Sequence, residues 1–122
     1  MEEHAALDGF AAIAHRDRLR IVRMLVVAGA EGMSAGAIAA ALDGSQPSRV
    51  SFHLKELEQA KLVVARREGK SVIYSADFPM LSDLVAFLMH DCCQGHCIYC
   101  DKAIKLFALC TGRPTPTDEL PR

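Results

Sequence analysis

Ser45-Gln46-Pro47-Ser48-Arg49-Val50-Ser51-Phe52-His53-Leu54-Lys55-Glu56-Leu57 has the marks of a helix with one apolar stripe and one polar face. Proline is tolerated in a first helical turn, where its missing N–H would go unpaired anyway, so Ser45-Gln46-Pro47-Ser48 reads as a helix start. Val50, Leu54 and Leu57 recur at i, i+4 and i+7, the spacing of a buried row, and the helix is expected to run to about Ala60. The face left over offers Gln46, Ser48, Arg49, Ser51, Phe52, His53 and Lys55. These side chains suit base-pair edges: glutamine pairs with adenine, arginine with guanine, and serine with base or phosphate. The helix N-terminus adds a partial positive charge that favours a phosphate.

Immediately upstream, Ser34 can cap a short helix carrying Ile38 and Leu42, and Asp43-Gly44 is a turn signal. A short helix, a tight turn and a polar-faced second helix make a helix–turn–helix, whose second helix enters the major groove. Downstream, Leu62–Arg67 and Ser71–Ser75 are short runs rich in β-branched residues, separated by Glu68-Gly69-Lys70. That pattern predicts a β-hairpin. Its basic residues, Arg66, Arg67 and Lys70, are expected to reach the flanking backbone or minor groove.

Farther out, residues from about His4 to Ala14 read as a helix with Leu7, Phe10, Ala11 and Ala14 at helical spacing. A second helix is expected to start at Asp17 as N-cap, to bury Leu19, Val22, Leu25 and Val26, and to end at Gly29 and Gly32. After the hairpin, Asp77 can cap a helix with Pro79 in its first turn. Met80, Leu81, Leu84, Val85, Phe87, Leu88 and Met89 cover more than one narrow stripe of that helix. A helix apolar on two sides is buried on two sides, and in so small a chain one side is expected at a subunit interface. A last short helix with Ile104, Phe107 and Leu109 is expected to end near Gly112. The fold class that follows is mainly α with a two-stranded β wing: a homodimeric winged helix–turn–helix. One DNA-binding and dimerisation domain spans 1–112, and a Pro-rich disordered tail spans 113–122.

Composition agrees with one domain: 122 residues, 51% hydrophobic, net charge −1. Near-neutrality excludes a generic polycation, yet basic residues concentrate at Arg16–Arg23 and between Arg49 and Lys70. No apolar run reaches the eighteen residues of a membrane span, and the first residues lack the basic and apolar blocks of a signal peptide. A cytoplasmic protein is expected, with reduced cysteines.

Four of the five cysteines crowd into Cys92-Cys93-Gln94-Gly95-His96-Cys97-Ile98-Tyr99-Cys100. Thiolates select soft ions. Zinc would take four ligands from Cys92 or Cys93, His96, Cys97 and Cys100. A trivalent metalloid needs only three thiolates, which adjacent cysteines followed by a third after a glycine turn suit better. A thiol redox sensor, with a disulfide joining Cys97 to Cys100 or Cys93 to Cys97, is a further reading. An oxidoreductase using Cys97-x-x-Cys100 is the enzyme alternative, but no βαβ pattern surrounds the motif. Cys110 reads as a core residue of the last helix.

Ala14-His15-Arg16-Asp17-Arg18-Leu19-Arg20-Ile21-Val22 resembles the second-helix signature of the ArsR/SmtB family of metal-sensing repressors. Ser45 through Leu57 is similar to that family's recognition helix, and Leu62-Val63 through Lys70 to Tyr74 resembles its wing. The resemblance covers roughly residues 5–100. It implies a homodimeric winged-helix repressor, not an enzyme, that leaves double-stranded operator DNA when a ligand binds. The chain departs from the family in having Arg16-Asp17 where many members have Pro-Thr. It has Gly32-Met33-Ser34 where the familiar cysteine box would stand, and only Asp83 and His90, out of spacing, near the family's zinc site on the long helix. Some arsenic-responsive members carry a Cys-Cys pair after the long helix and a third cysteine soon after. Cys92 and Cys93 match the pair. Cys97 is the nearest third ligand, with a shorter loop between, and Cys100 is an extra thiol. The resemblance therefore implies As(III) or Sb(III) as inducer, with zinc or cadmium as the alternative.

Overall fold

Helix caps and the spacing of large aliphatic residues account for most of the architecture. The computed structural model describes residues 1–42 and 46–89. The elements run α1 (Glu3–Ile13), α2 (Arg16–Ala28), a 3-10 turn (Gly29–Glu31), β1 (Met33–Ser34), α3 (Ala35–Ala41), α4 (Pro47–Gln59), β2 (Val63–Glu68), β3 (Ser71–Ala76) and α5 (Phe78–Met89). The Asp43-Gly44 turn, Ser45, the cysteine stretch, the last helix and the tail expected at 113–122 lie outside the described residues.

α4 begins as its sequence indicates, with Gln46 at the N-cap and Pro47 in the first turn. Its end is a Schellman closure: Leu62 N–H donates to Leu57 O at 3.0 Å and Lys61 N–H to Glu58 O at 2.9 Å. Lys61 takes φ +65° there, a left-handed position where glycine is usual. That turn delivers the chain directly into β2. Ser34 caps α3 by accepting from Ala37 N–H at 3.1 Å, and Asp77 Oδ1 accepts from Met80 N–H at 3.0 Å at the start of α5. Both caps match expectation.

The hairpin pairs Val63–Glu68 with Ser71–Ala76 in antiparallel register, Glu68 opposite Ser71. Only Gly69 and Lys70 form the turn, with Gly69 at φ +61°. The expected two-stranded wing gains a third strand: β1 pairs with β3 through Met33–Tyr74 and Ser34–Ile73, giving the order β1-β3-β2. Two residues are too short to show an alternating pattern, so this strand has no sequence signal. Gly32, just before it, sits at φ +68°, and a Cβ there would strike the Tyr74 carbonyl, so the position requires glycine on two counts.

The core joins Ile21 and Leu25 of α2, Ile38 of α3, Val50, Leu54 and Leu57 of α4, and Leu62 and Val63, each no more than 1% exposed. Two helices are rotated from expectation. On α1 the buried residues are Ala6, Gly9 and Ala12, while Leu7 is 62% exposed. Close packing on α5 selects small residues: a Cβ on Gly9 would lie 3.0 Å from a Leu84 methyl. On α2 Ile21, Val22 and Leu25 are buried and Leu19 faces out. The N-cap of α2 is His15, not Asp17: its Nδ1 accepts from Asp17 N–H at 3.1 Å. On α5, Leu81 and Leu84 are buried while Phe87 and Leu88 stay exposed.

Candidate nucleic-acid interface

α4 is fixed from within by Val50, Leu54 and Leu57, so its opposite side is held rigidly. Gln46, Ser48, Arg49, Ser51, Phe52 and Lys55 are exposed there. None of Gln46, Ser48, Arg49, Ser51 and Lys55 has a hydrogen bond or ion pair with another side chain among the described residues. These donors and acceptors are free for an outside partner.

His53 does not belong to that set. It is 4% exposed, on the inner side of α4. The reason is periodicity: Val50, His53 and Leu57 fall at i, i+3 and i+7, so the histidine completes the buried row. An i+3 count alongside the i+4 count would have found it.

Buried, His53 becomes the joint between α4 and the start of α2. Arg18 Nε donates to its Nδ1 at 3.2 Å, and Arg18 Nη1 reaches Ala12 O at 3.5 Å. The His15 ring lies against it, centroids 4.5 Å apart. Its Nε2 is buried without a hydrogen-bond partner, 3.8 Å from Asp17 Oδ2. Burial, and then the neighbouring His15, Arg18 and Arg49, push its pKa below the ordinary 6.5, against an upward pull from Asp17. The ring is therefore neutral near pH 7, with its proton on Nε2, because Nδ1 accepts from an arginine that cannot give up its charge.

His15, Asp17 and His53 each bring one ligand atom within 4.8 Å of the others. As a metal site the trio is poorly prepared. Both Nδ1 atoms already accept N–H donors, whereas a histidine that binds a metal through Nε2 carries a proton on Nδ1 and donates it. The arrangement holds two helices together.

The wing divides its three basic residues. Arg66 already has partners on its own chain: Nη1 donates to Ala30 O at 2.8 Å and Nη2 to Glu31 O at 2.7 Å, and its guanidinium also meets Glu68 Oε2 at 3.1 Å. It satisfies the carbonyls at the 3-10 turn and braces the wing, while its side chain stays 40% exposed. Adjacent residues on a strand face opposite ways, so Arg67 points away from that clamp. Arg67 and Lys70 are exposed, and their side chains have no hydrogen bond or ion pair among the described residues. Cys92, Cys93, Cys97 and Cys100 lie outside the described residues.

Comparison with known proteins agrees with this geometry. The family model of a helix-turn-helix domain matches residues 13–66. Rv0081 of Mycobacterium tuberculosis (strain H37Rv), an uncharacterized HTH-type transcriptional regulator, is 35% identical over 77 residues, 63% of this chain and 65% of its own length. The chain thus spans just under two thirds of its curated relatives. The crystal structure of Rv0081 aligns with TM-score 0.56 and 31% identity, over 77% of this chain and 93% of that one. A possible transcriptional regulator for arsenical resistance aligns with TM-score 0.60 and 26% identity, over 80% and 94% of the two chains. The homodimeric winged helix-turn-helix domain of Mb0332 from Mycobacterium bovis, a possible ArsR-family regulator, aligns with TM-score 0.55 and 27% identity, over 71% and 82%. These relatives are regulators rather than enzymes. With its helix–turn–helix, its wing and these relatives, the chain belongs to the winged helix–turn–helix family of HTH-type transcriptional regulators.

Proposed function

We propose that this chain is a transcriptional repressor that binds operator DNA as a homodimer and leaves it when trivalent arsenic or antimony is captured by Cys92, Cys93 and Cys97, with Cys100 as a reserve thiol. The observation that carries the DNA-binding part is the outer face of α4. Gln46, Ser48, Arg49, Ser51 and Lys55 stand unpaired on a helix whose inner face is locked into the core. Arg67 and Lys70 extend the same chemistry along the wing, for phosphates on either side of the groove.

Dimerisation has its own support. Phe87 and Leu88 of α5 are 37% and 63% exposed, and Met1 and Phe87 line one cleft, which puts the start of α1 beside that face. An apolar face of this kind suits a second copy, and the Mb0332 domain is homodimeric. Two copies joined through α5 would set their recognition helices roughly 34 Å apart, one turn of DNA. No helix among the described residues is long and apolar enough to cross a membrane.

The inducer reading rests on the thiols, which begin three residues after the last residue of α5. The similarity to a possible regulator for arsenical resistance leans the same way. Ligand capture there ties down the end of the dimerisation helix and biases the pair toward a spacing that DNA does not match. A useful switch requires a coupling of about 1–3 kcal/mol or more. The test is a fluorescence anisotropy titration of the reduced protein on its own upstream DNA, over a salt series. Saturable binding that weakens steeply with salt is expected, with release by arsenite or antimonite. Release only by zinc, cadmium or oxidant would replace the inducer, and no salt-dependent binding would overturn the regulator reading.

A further inference from the structure

The outer face of α4 has an apolar centre. At 100° per residue, Ser48, Phe52 and Lys55 lie opposite the buried row of Val50, Leu54 and Leu57. Phe52 is 54% exposed, flanked by short polar side chains at Ser48 and Ser51. A large ring in the middle of an otherwise polar recognition face removes nothing from water in the free protein. It is also held in place. The Arg18 guanidinium lies 5.9 Å from the ring centroid, and the ring meets His53 edge-on at 5.8 Å. Arg18 is itself fixed by His53 Nδ1 and Ala12 O. The ring is thus supported from α2 on one side and presented outward on the other.

What can meet such a ring is limited by where α4 goes. In the major groove the apolar group that a base pair presents is the thymine 5-methyl. Apolar wedges that open base steps enter instead from the minor groove, which a helix packed as α4 is does not reach. We infer that Phe52 is a specificity-determining residue: its ring covers a thymine methyl in each half-site, and Arg18 and His53 orient it for that contact. The inference rests on the DNA-binding reading of α4. It assigns to this chain a preference for thymine opposite the middle of the recognition helix, beyond the hydrogen-bonding set of Gln46, Ser48 and Arg49.

The contact is tested by removing the methyl from the DNA rather than the ring alone. The protein's own upstream DNA is prepared twice, once with thymidine and once with deoxyuridine throughout, and the full-length reduced protein is titrated on both. Wild type is expected to bind the deoxyuridine DNA more weakly, by roughly fourfold for each methyl covered and about fifteenfold when both half-sites lose one. Phe52→Ala is expected to bind thymidine DNA more weakly than wild type and to lose the distinction between the two DNAs, while Phe52→Leu keeps part of it. Ring and base are exposed in the free molecules, so both variants should melt as wild type does. A wild type indifferent to the methyl, or a Phe52→Ala that still discriminates as wild type does, would overturn the assignment with DNA binding itself intact. Failure of wild type to bind either DNA would remove the regulator reading and this inference together.

Discussion

α4 and α5 are of similar length, and each buries leucines inward, yet their outer faces differ in kind. The outer side of α4 is polar around a single ring, with Gln46, Ser48, Arg49, Ser51 and Lys55 about Phe52. The outer side of α5 shows Phe87 and Leu88, with Asp83 as its charged residue. A polar, cationic face loses little in water and gains from phosphates and base edges. An apolar face gains only when another apolar surface covers it. Under the proposed function, nucleic acid meets the first helix and a second copy of the chain covers the other.

The largest effect that separates inner from outer faces is expected on α4. Leu54→Ala should cost about 2–5 kcal/mol in denaturant unfolding, through lost burial and the cavity left behind. Arg49→Ala, one face away, should change stability by less than about 0.5 kcal/mol while weakening DNA binding. Equal loss of stability in both would mean that Arg49 supports the fold. On α5 the expected effect is on assembly: Leu88→Glu should weaken self-association by at least about tenfold in sedimentation equilibrium, with little change in monomer helicity. A variant that stays as dimeric as wild type would move the interface elsewhere.

The smallest effect belongs to the joint that ties α4 to α2. The pKa of His53 is held below its unfolded value of 6.5. The unfolded chain therefore binds the proton more readily, and stability is fullest above 6.5 and declines as pH falls through 6.5 toward the folded value. Protonation also takes from Nδ1 the lone pair that accepts from Arg18. Melting curves at about pH 7.5 and about pH 5.5 should show this loss in wild type and less of it in His53→Gln. The same slope in both would place the pH dependence on other groups.

The elements legible in the sequence are those whose signals are local. Pro47, the Val50-Leu54-Leu57 row, the Ser34 and Asp77 caps and the Gly69 turn each act within a few residues, and each stands where it was expected. The remainder depends on partners distant in the chain. Leu7 looks like a core residue by type, but α1 meets α5 so closely that Ala6, Gly9 and Ala12 take the interface. Arg66 looks like a DNA contact by charge, but the carbonyls that hold it come from Ala30 and Glu31, more than thirty residues away. His53 looks polar and external, yet it lies on an i+3 row and meets Arg18, thirty-five residues earlier. Helical spacing alone thus gives the exposure of Gln46, Ser48, Arg49, Ser51 and Lys55, but not the contacts that support them.

The most direct test of the proposed switch is arsenite-driven release from operator DNA, measured side by side for wild type, Cys92→Ser and Cys93→Ser. All three proteins are expected to bind the DNA alike when reduced. Arsenite should release wild type at low stoichiometry and leave both variants bound. Release of the variants by the same arsenite concentration would contradict the account, because the signal would then enter the protein somewhere other than the thiols that follow α5.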